Sequence, residues 1–184
     1  MTFRQFLANE MHDVVYSYSS TQIYLPDDLS DQIIQWGHDR IPNGIVYTDP
    51  DDPSFGRENE IHATVLYGIH ADDPKPVEAL LRSQKPFDCK LGRVTLFKTN
   101  PKFDVVKIDV RSPDLHRLHK RLNDHLEVTN SYPVYKPHVT IAYVKRGKAD
   151  DLVGNRDFEG KKFGVSEVVF SSRSGEKTNL PLKA

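Results

Sequence analysis

Two short stretches of this chain are nearly the same strand, and that duplication narrows the available folds more than any other feature. Residues 62–67 read His-Ala-Thr-Val-Leu-Tyr and residues 138–143 read His-Val-Thr-Ile-Ala-Tyr. Both carry His, Thr and Tyr at positions one, three and six, with apolar residues at the other three. β-Branched and apolar residues in such runs favour extended backbone. Each copy follows a helical pattern and a loop, so the 184-residue chain reads as two similar lobes sharing one core. Two copies are too few for a solenoid.

The remaining pattern fills in both lobes. Thr21 to Leu25 alternates as a strand, and Pro26-Asp27-Asp28 opens a helix to about Arg40 with Ile33, Ile34 and Trp36 on its buried side. Residues 42–60, rich in Pro, Asn, Gly and Asp, form a loop long enough to serve as a lid or binding segment. After the first His-x-Thr strand, Asp72-Asp73-Pro74 leads into a helix over about 75–84. Residues 87–98 and 103–110 alternate about a Thr-Asn-Pro-Lys turn and predict a hairpin. Ser112-Pro113-Asp114 supplies an N-cap, and Leu115, Leu118, Leu122 and Leu126 recur at helical spacing. A linker with Tyr132, Pro133 and Tyr135 precedes the second His-x-Thr strand, and residues 164–171 predict a final strand before a polar tail. The expected fold class is α+β: one domain over 1–184 with interleaved lobes and residues 1–20 and 172–184 peripheral.

Strand alternation places His62, Thr64 and Leu66 on one face and Ala63, Val65 and Tyr67 on the other, with the same split at His138. Two such faces across a pseudo-twofold axis bring two imidazoles and two hydroxyls into one cleft. A histidine has an ordinary pKa near ~6.5, so at neutral pH one ring can take a proton from an attacking hydroxyl or water while the other donates to a leaving oxygen. Thr64 and Thr140 can donate to non-bridging phosphate oxygens. Phosphoryl transfer without a metal follows from that set.

On His62-Ala63-Thr64-Val65 and His138-Val139-Thr140-Ile141, with Lys136-Pro137 before the second, the chain resembles the two-histidine (2H) phosphoesterases. These include 2′-5′ RNA ligase-like proteins and cyclic nucleotide phosphodiesterases. The resemblance in element order runs over roughly residues 21–171. It implies a bilobal fold with two antiparallel sheets lining a central groove, helices outside and no metal or other cofactor. The implied chemistry is at 2′,3′-cyclic, 2′-5′ or related phosphodiester bonds. Phage and bacterial members of this general length include enzymes that destroy cyclic oligonucleotide immune signals. The alternatives are a non-catalytic module that binds nucleotides or RNA ends, and an RNA ligase of the 2′-5′ type.

Other residues are candidates on position alone. Tyr47, Phe55, Tyr132 and Tyr135 lie near the two motifs, where an aromatic ring can stack on a base. Lys136 and Arg57 can attract a phosphate. Tyr67 and Tyr143 fall, by parity, on the core face, whereas His70 has the parity of the catalytic face. His116, His119 and His125 read as solvent-facing helix residues, and Asp49 to Asp52 as a turn. A net charge of -1 argues against a general binder of long nucleic acid, so the expected partner is a nucleotide, cyclic nucleotide or short oligonucleotide. The lone Cys89 and the absence of any ~20-residue apolar run predict a cytoplasmic protein with no membrane role, expected to be a monomer.

Overall fold

The computed structural model describes residues 16–129 and 134–183. Among these, chain order runs β1 (Ser19–Tyr24), α1 (Asp27–Arg40), β2 (His62–Ile69), α2 (Lys75–Leu81), β3 (Phe87–Phe97) and β4 (Phe103–Arg111). It continues with α3 (Pro113–His125), β5 (His138–Lys145), β6 (Lys162–Val165), β7 (Glu167–Ser171) and β8 (Lys177–Pro181). The strands lie in the order β6-β3-β4-β5-β2-β1-β7-β8, every pair antiparallel. At the centre, β2 and β5 share a single paired position, Ala63 with Val139. Each therefore leads its own four-stranded half of one eight-stranded sheet, and the whole curls into a half-barrel. The expected α+β architecture forms, its two antiparallel halves joined in one curled sheet.

The helices follow from local sequence. In α3, Ser112 Oγ accepts from Leu115 N at 3.3 Å, Pro113 fills the first turn, and Leu115, Leu118 and Leu122 are fully buried. Burial of each leucine contributes about 1.5–3 kcal/mol. In α1, Asp27 and Asp28 stand in the first turn and His38 and Arg40 in the last, as the helix dipole favours. Leu29, Ile33, Trp36 and Gly37 form its buried stripe, while Ile34 is only half-buried. Helix α1 packs on β5 and α3 on β2, so each lobe's helix braces the other lobe's motif strand. The approach of α1 is close enough that a Cβ on Gly37 would lie 2.8 Å from Ile141 Cγ2.

Helices and core thus cover one face, lined by Ile23, Ala63, Val65, Ile108 and Val139. The opposite face is left open.

The C-terminal third differs from expectation. Residues 164–171 are not one strand: β6 pairs with β3 at one edge of the sheet and β7 with β1 on the far side, the chain crossing between lobes at Ser166. The polar tail contains β8, which pairs with β7. Lys177, Thr178 and Asn179 read as tail because an outermost strand keeps polar side chains facing water. No helix among the described residues is long and apolar enough to cross a membrane.

Candidate active site

The Ala63–Val139 pair decides the geometry of the two motifs. Continuing the antiparallel register one residue either way sets His62 across from Thr140 and Thr64 across from His138, all four on the open face. The histidines are diagonal neighbours, which in an antiparallel pair are roughly 7–8 Å apart. Their proximity is also electrostatic, since His62 is among the groups acting on His138.

Each imidazole is held in the same way. His62 Nδ1 lies 2.6 Å from the Glu60 carbonyl oxygen and His138 Nδ1 lies 2.8 Å from that of Lys136. A carbonyl only accepts, so Nδ1 carries the proton in both rings and Nε2 is left for a substrate. The Pro137 ring and the Ile61 side chain are buried just before the histidines and fix the approach of both strands.

Both motif strands then bulge at the same place. On β2, Gln22 pairs with Thr64 but Thr21 with Leu66, leaving Val65 as the extra residue. On β5, Lys107 pairs with Thr140 but Val106 with Ala142, leaving Ile141 extra. Each bulge is the fourth residue of its motif, and beyond it the alternation reverses. Leu66 turns into the core at 2% exposure, and Tyr67, expected there, emerges 45% exposed on the open face. Tyr143 moves likewise, pairing with Val105 on the side of β4 that carries Lys107 and Asp109. A legible sign existed: Val65-Leu66 and Ile141-Ala142 are adjacent apolar pairs that break strict alternation.

Beyond the single central pair, other segments take up the edges that β2 and β5 leave. Residues 46–58 run along β5, with Tyr47 N donating to Tyr143 O, Tyr143 N to Gly56 O and Glu58 N to Ile141 O at 2.8–2.9 Å. Tyr47 and Phe55 pack with Phe103 and Tyr143, ring centroids 5.0–5.4 Å apart, as one aromatic cluster. Symmetrically, Val128 pairs with Ile69, and His70, after a further irregularity in β2, meets Thr129 Oγ1 at 2.7 Å and Glu127 Oε1 at 3.2 Å. His70 therefore holds this segment instead of lining the His-x-Thr centre.

Three further expectations change. Arg57 donates to Gly37 O at 2.8 Å, Ile41 O at 2.5 Å and Asn43 Oδ1 at 2.9 Å, so its guanidinium clasps the C-terminus of α1 rather than a phosphate. Burial lowers its pKa. Arg57→Ala is expected to cost about 1–3 kcal/mol of stability in denaturant unfolding while leaving KM unchanged. Tyr135 donates to Thr64 O at 2.9 Å and stacks on His119 at 3.9 Å, so a ring face expected for a base is already covered. His119 is half-buried against β2, its Nδ1 2.7 Å from Val65 O, and not solvent-facing. Lys136 is exposed and contributes its carbonyl to His138; Tyr132 lies outside the described residues.

Sequence reasoning missed the neighbours supplied by β1, β3 and β4. Gln22 and Tyr24 pair with Thr64 and His62, Gln22 Nε2 donating to the Tyr24 hydroxyl at 3.1 Å. Lys107 and Asp109 pair with Thr140 and His138. The Lys107 ammonium, only 6% exposed as a side chain, donates to Asp109 Oδ1 at 2.6 Å and Thr95 Oγ1 at 2.7 Å, and lies 4.3 Å from the Phe97 ring centre. Phe97 meets His138 edge to face at 4.8 Å. Burial lowers the His138 pKa, and Lys107 and His62 act in the same direction, against the Lys136 carbonyl and Asp109.

The family model described as the 2'-5' RNA ligase superfamily matches residues 25–177. The chain belongs to that superfamily. TT0787 of Thermus thermophilus superposes with a TM-score of 0.63 at 16% identity, covering 91% of this chain and 100% of that one. Escherichia coli LigT in apo form gives 0.59 at 19% identity over 90% and 94% of the two chains. Kluyveromyces marxianus Usb1 gives 0.59 at 12% identity over 90% and 98%. At such identities these three show a shared fold. LigT has also been solved with 3'-AMP and with ATP. No curated protein sequence matches this superfamily member.

Proposed function

We propose that this 2'-5' RNA ligase superfamily protein is a metal-independent phosphodiesterase in which His62 and His138 act as the acid–base pair on a nucleotide phosphodiester. The observation that carries the reading is the antiparallel register that sets each histidine across from the other motif's threonine. One phosphate between the two Nε2 atoms then meets two proton-transfer groups and two hydroxyl donors, which is what in-line displacement at phosphorus requires. Thr64 and Thr140 hold the non-bridging oxygens. The substrate class is 2′,3′-cyclic, 2′-5′-linked or cyclic oligonucleotide, a bacterial or phage immune signal being one such molecule.

Tyr67 stands exposed on the open face beside the Thr64 pair, edge-on to Tyr18 at 6.1 Å, and offers a base a ring to stack on. A base–aromatic stack is worth about 1–3 kcal/mol, so Tyr67→Ala is expected to raise KM roughly tenfold with little change in kcat.

The test is an assay of 2′,3′-cyclic nucleotides, 2′-5′ oligoadenylate and cyclic di- and trinucleotides in excess EDTA. Product that disappears in His62→Ala and in His138→Ala supports the reading. Tight binding without product across all these substrates would replace it with a nucleotide-binding module, and joining of cleaved RNA ends with no hydrolysis would replace it with a ligase.

A further inference from the structure

The two lobes repeat their histidines, threonines and bulges, but not the charge packed beside them. Across from Thr64 and His62 stand an amide and a phenol, Gln22 and Tyr24. Across from Thr140 and His138 stand an ammonium and a carboxylate, Lys107 and Asp109. The first lobe has an ion pair as well, Lys177 with Glu60, and Lys177 lies 5.4 Å from the Tyr24 ring centre. Lys177 and Glu60 are 39% and 56% exposed as side chains, whereas Lys107 is 6% and Asp109 39% exposed, so the difference lies in the ammonium. Water and salt screen the exposed Lys177 ammonium far more than the buried Lys107 one. The asymmetry that reaches the imidazoles is therefore the one at His138.

We infer that the Lys107–Asp109 pair, with its ammonium buried beside His138, gives the reaction its direction, with His138 as general base, His62 as general acid and Lys107 as the positioning residue. This rests on the phosphodiesterase reading above. A general base must start neutral. His138 is packed edge to face on Phe97, with the Lys107 ammonium over the same ring. Both disfavour an imidazolium, as does His62, while Asp109 and the Lys136 carbonyl oppose them. Once His138 has taken a proton, Asp109 across the strand is placed to stabilise it.

In the step itself, His138 Nε2 removes the proton from the attacking water or hydroxyl as the new oxygen–phosphorus bond forms. The bond to the leaving oxygen breaks, and that oxygen takes the proton from His62 Nε2. One proton is gained and one lost by the protein, and exchange with solvent restores both rings.

Leaving-group dependence tests the assignment. A p-nitrophenyl nucleotide ester expels its phenolate at neutral pH without a general acid. His62→Ala is expected to recover at least about 100-fold of its lost activity on that ester relative to a nucleoside leaving group, that being the scale of general acid catalysis. His138→Ala is expected to be equally impaired on both. The reverse pattern, or equal recovery by both variants, overturns the inference.

Lys107 is tested through the pH profile of kcat/KM, whose acidic limb reports the base in the free enzyme. Lys107→Met should move that limb to higher pH, Lys107→Arg should leave it in place, and Asp109→Asn should move it to lower pH. Movement of the alkaline limb instead, or no movement in either direction, overturns the role. NMR titration of the His138 ring in the same variants should shift in the same directions. Because it needs no turnover, it separates a failure of this inference from a failure of the phosphodiesterase reading, which would show as a wild-type protein that cleaves no phosphodiester. Should Lys107→Met fail to fold, Asp109→Asn carries the test.

Discussion

His62→Ala and His138→Ala are each expected to lower kcat by about 10²–10⁴-fold, the usual contribution of one acid or base. The double variant should be little worse than either alone, because two groups that act in one transition state lose their value together. Stability should hardly change. Each ring makes one short bond, to the carbonyl oxygen of Glu60 or Lys136, and both histidines are partly exposed, so water can replace the lost donor. A kinetic collapse with an unchanged denaturant midpoint is the combination to look for. A matching fall in stability would place the histidines in the framework and not in the chemistry.

The second large effect is expected at Gly68. This residue sits at φ +93 in β2, and a Cβ there would lie 2.0 Å from the Thr129 carbonyl oxygen, which belongs to the backbone and cannot swing aside. Gly68→Ala must drive residues 127–129 off the edge of β2. The Thr129 N to Gly68 O bond at 2.9 Å and the His70 N to Glu127 O bond at 3.0 Å would go with them. Backbone strain of about 1–3 kcal/mol plus two hydrogen bonds of roughly 0.5–1.5 kcal/mol each gives a loss of about 2–6 kcal/mol. In a chain of 184 residues that is roughly 4–24 °C in Tm. Thermal unfolding reads it, and hydrogen exchange at His70 and Thr129 locates it. Gly44→Ala is the control: a Cβ there meets nothing within 4 Å, and Tm should stay put.

How legible the molecule was from sequence depended on the range of the interaction. Helix α3 was readable because its signals are local: a Ser112 cap, Pro113 in the first turn and leucines at helical spacing. The hairpin of β3 and β4 was readable from two alternating runs about a turn. The pairing of motifs could be inferred, since two copies of one strand pattern imply a symmetric meeting, and Ala63 against Val139 is that meeting. What could not be read was which strands flank the pair. Lys107 looks like any charge on an amphipathic hairpin until register sets it beside Thr140 and buries it over Phe97. Tyr67 was misplaced for the opposite reason, as a local rule applied through a bulge that shifts it by one residue. Arg57 was misread because its partners, Gly37, Ile41 and Asn43, lie 14–20 residues away at the end of a helix.

The chemistry requires two imidazoles to meet one phosphorus, and a crystal structure of the protein with a bound nucleotide, such as a 2′,3′-cyclic nucleotide on the His138→Ala variant and 3'-AMP on the wild type, measures that directly. The predicted result puts phosphate oxygens within hydrogen-bond reach of the His62 and His138 Nε2 atoms and of both threonine hydroxyls in the wild type, with His62 still engaged in the variant. A phosphate bound away from the open face, or touching one imidazole while the other points elsewhere, would contradict it.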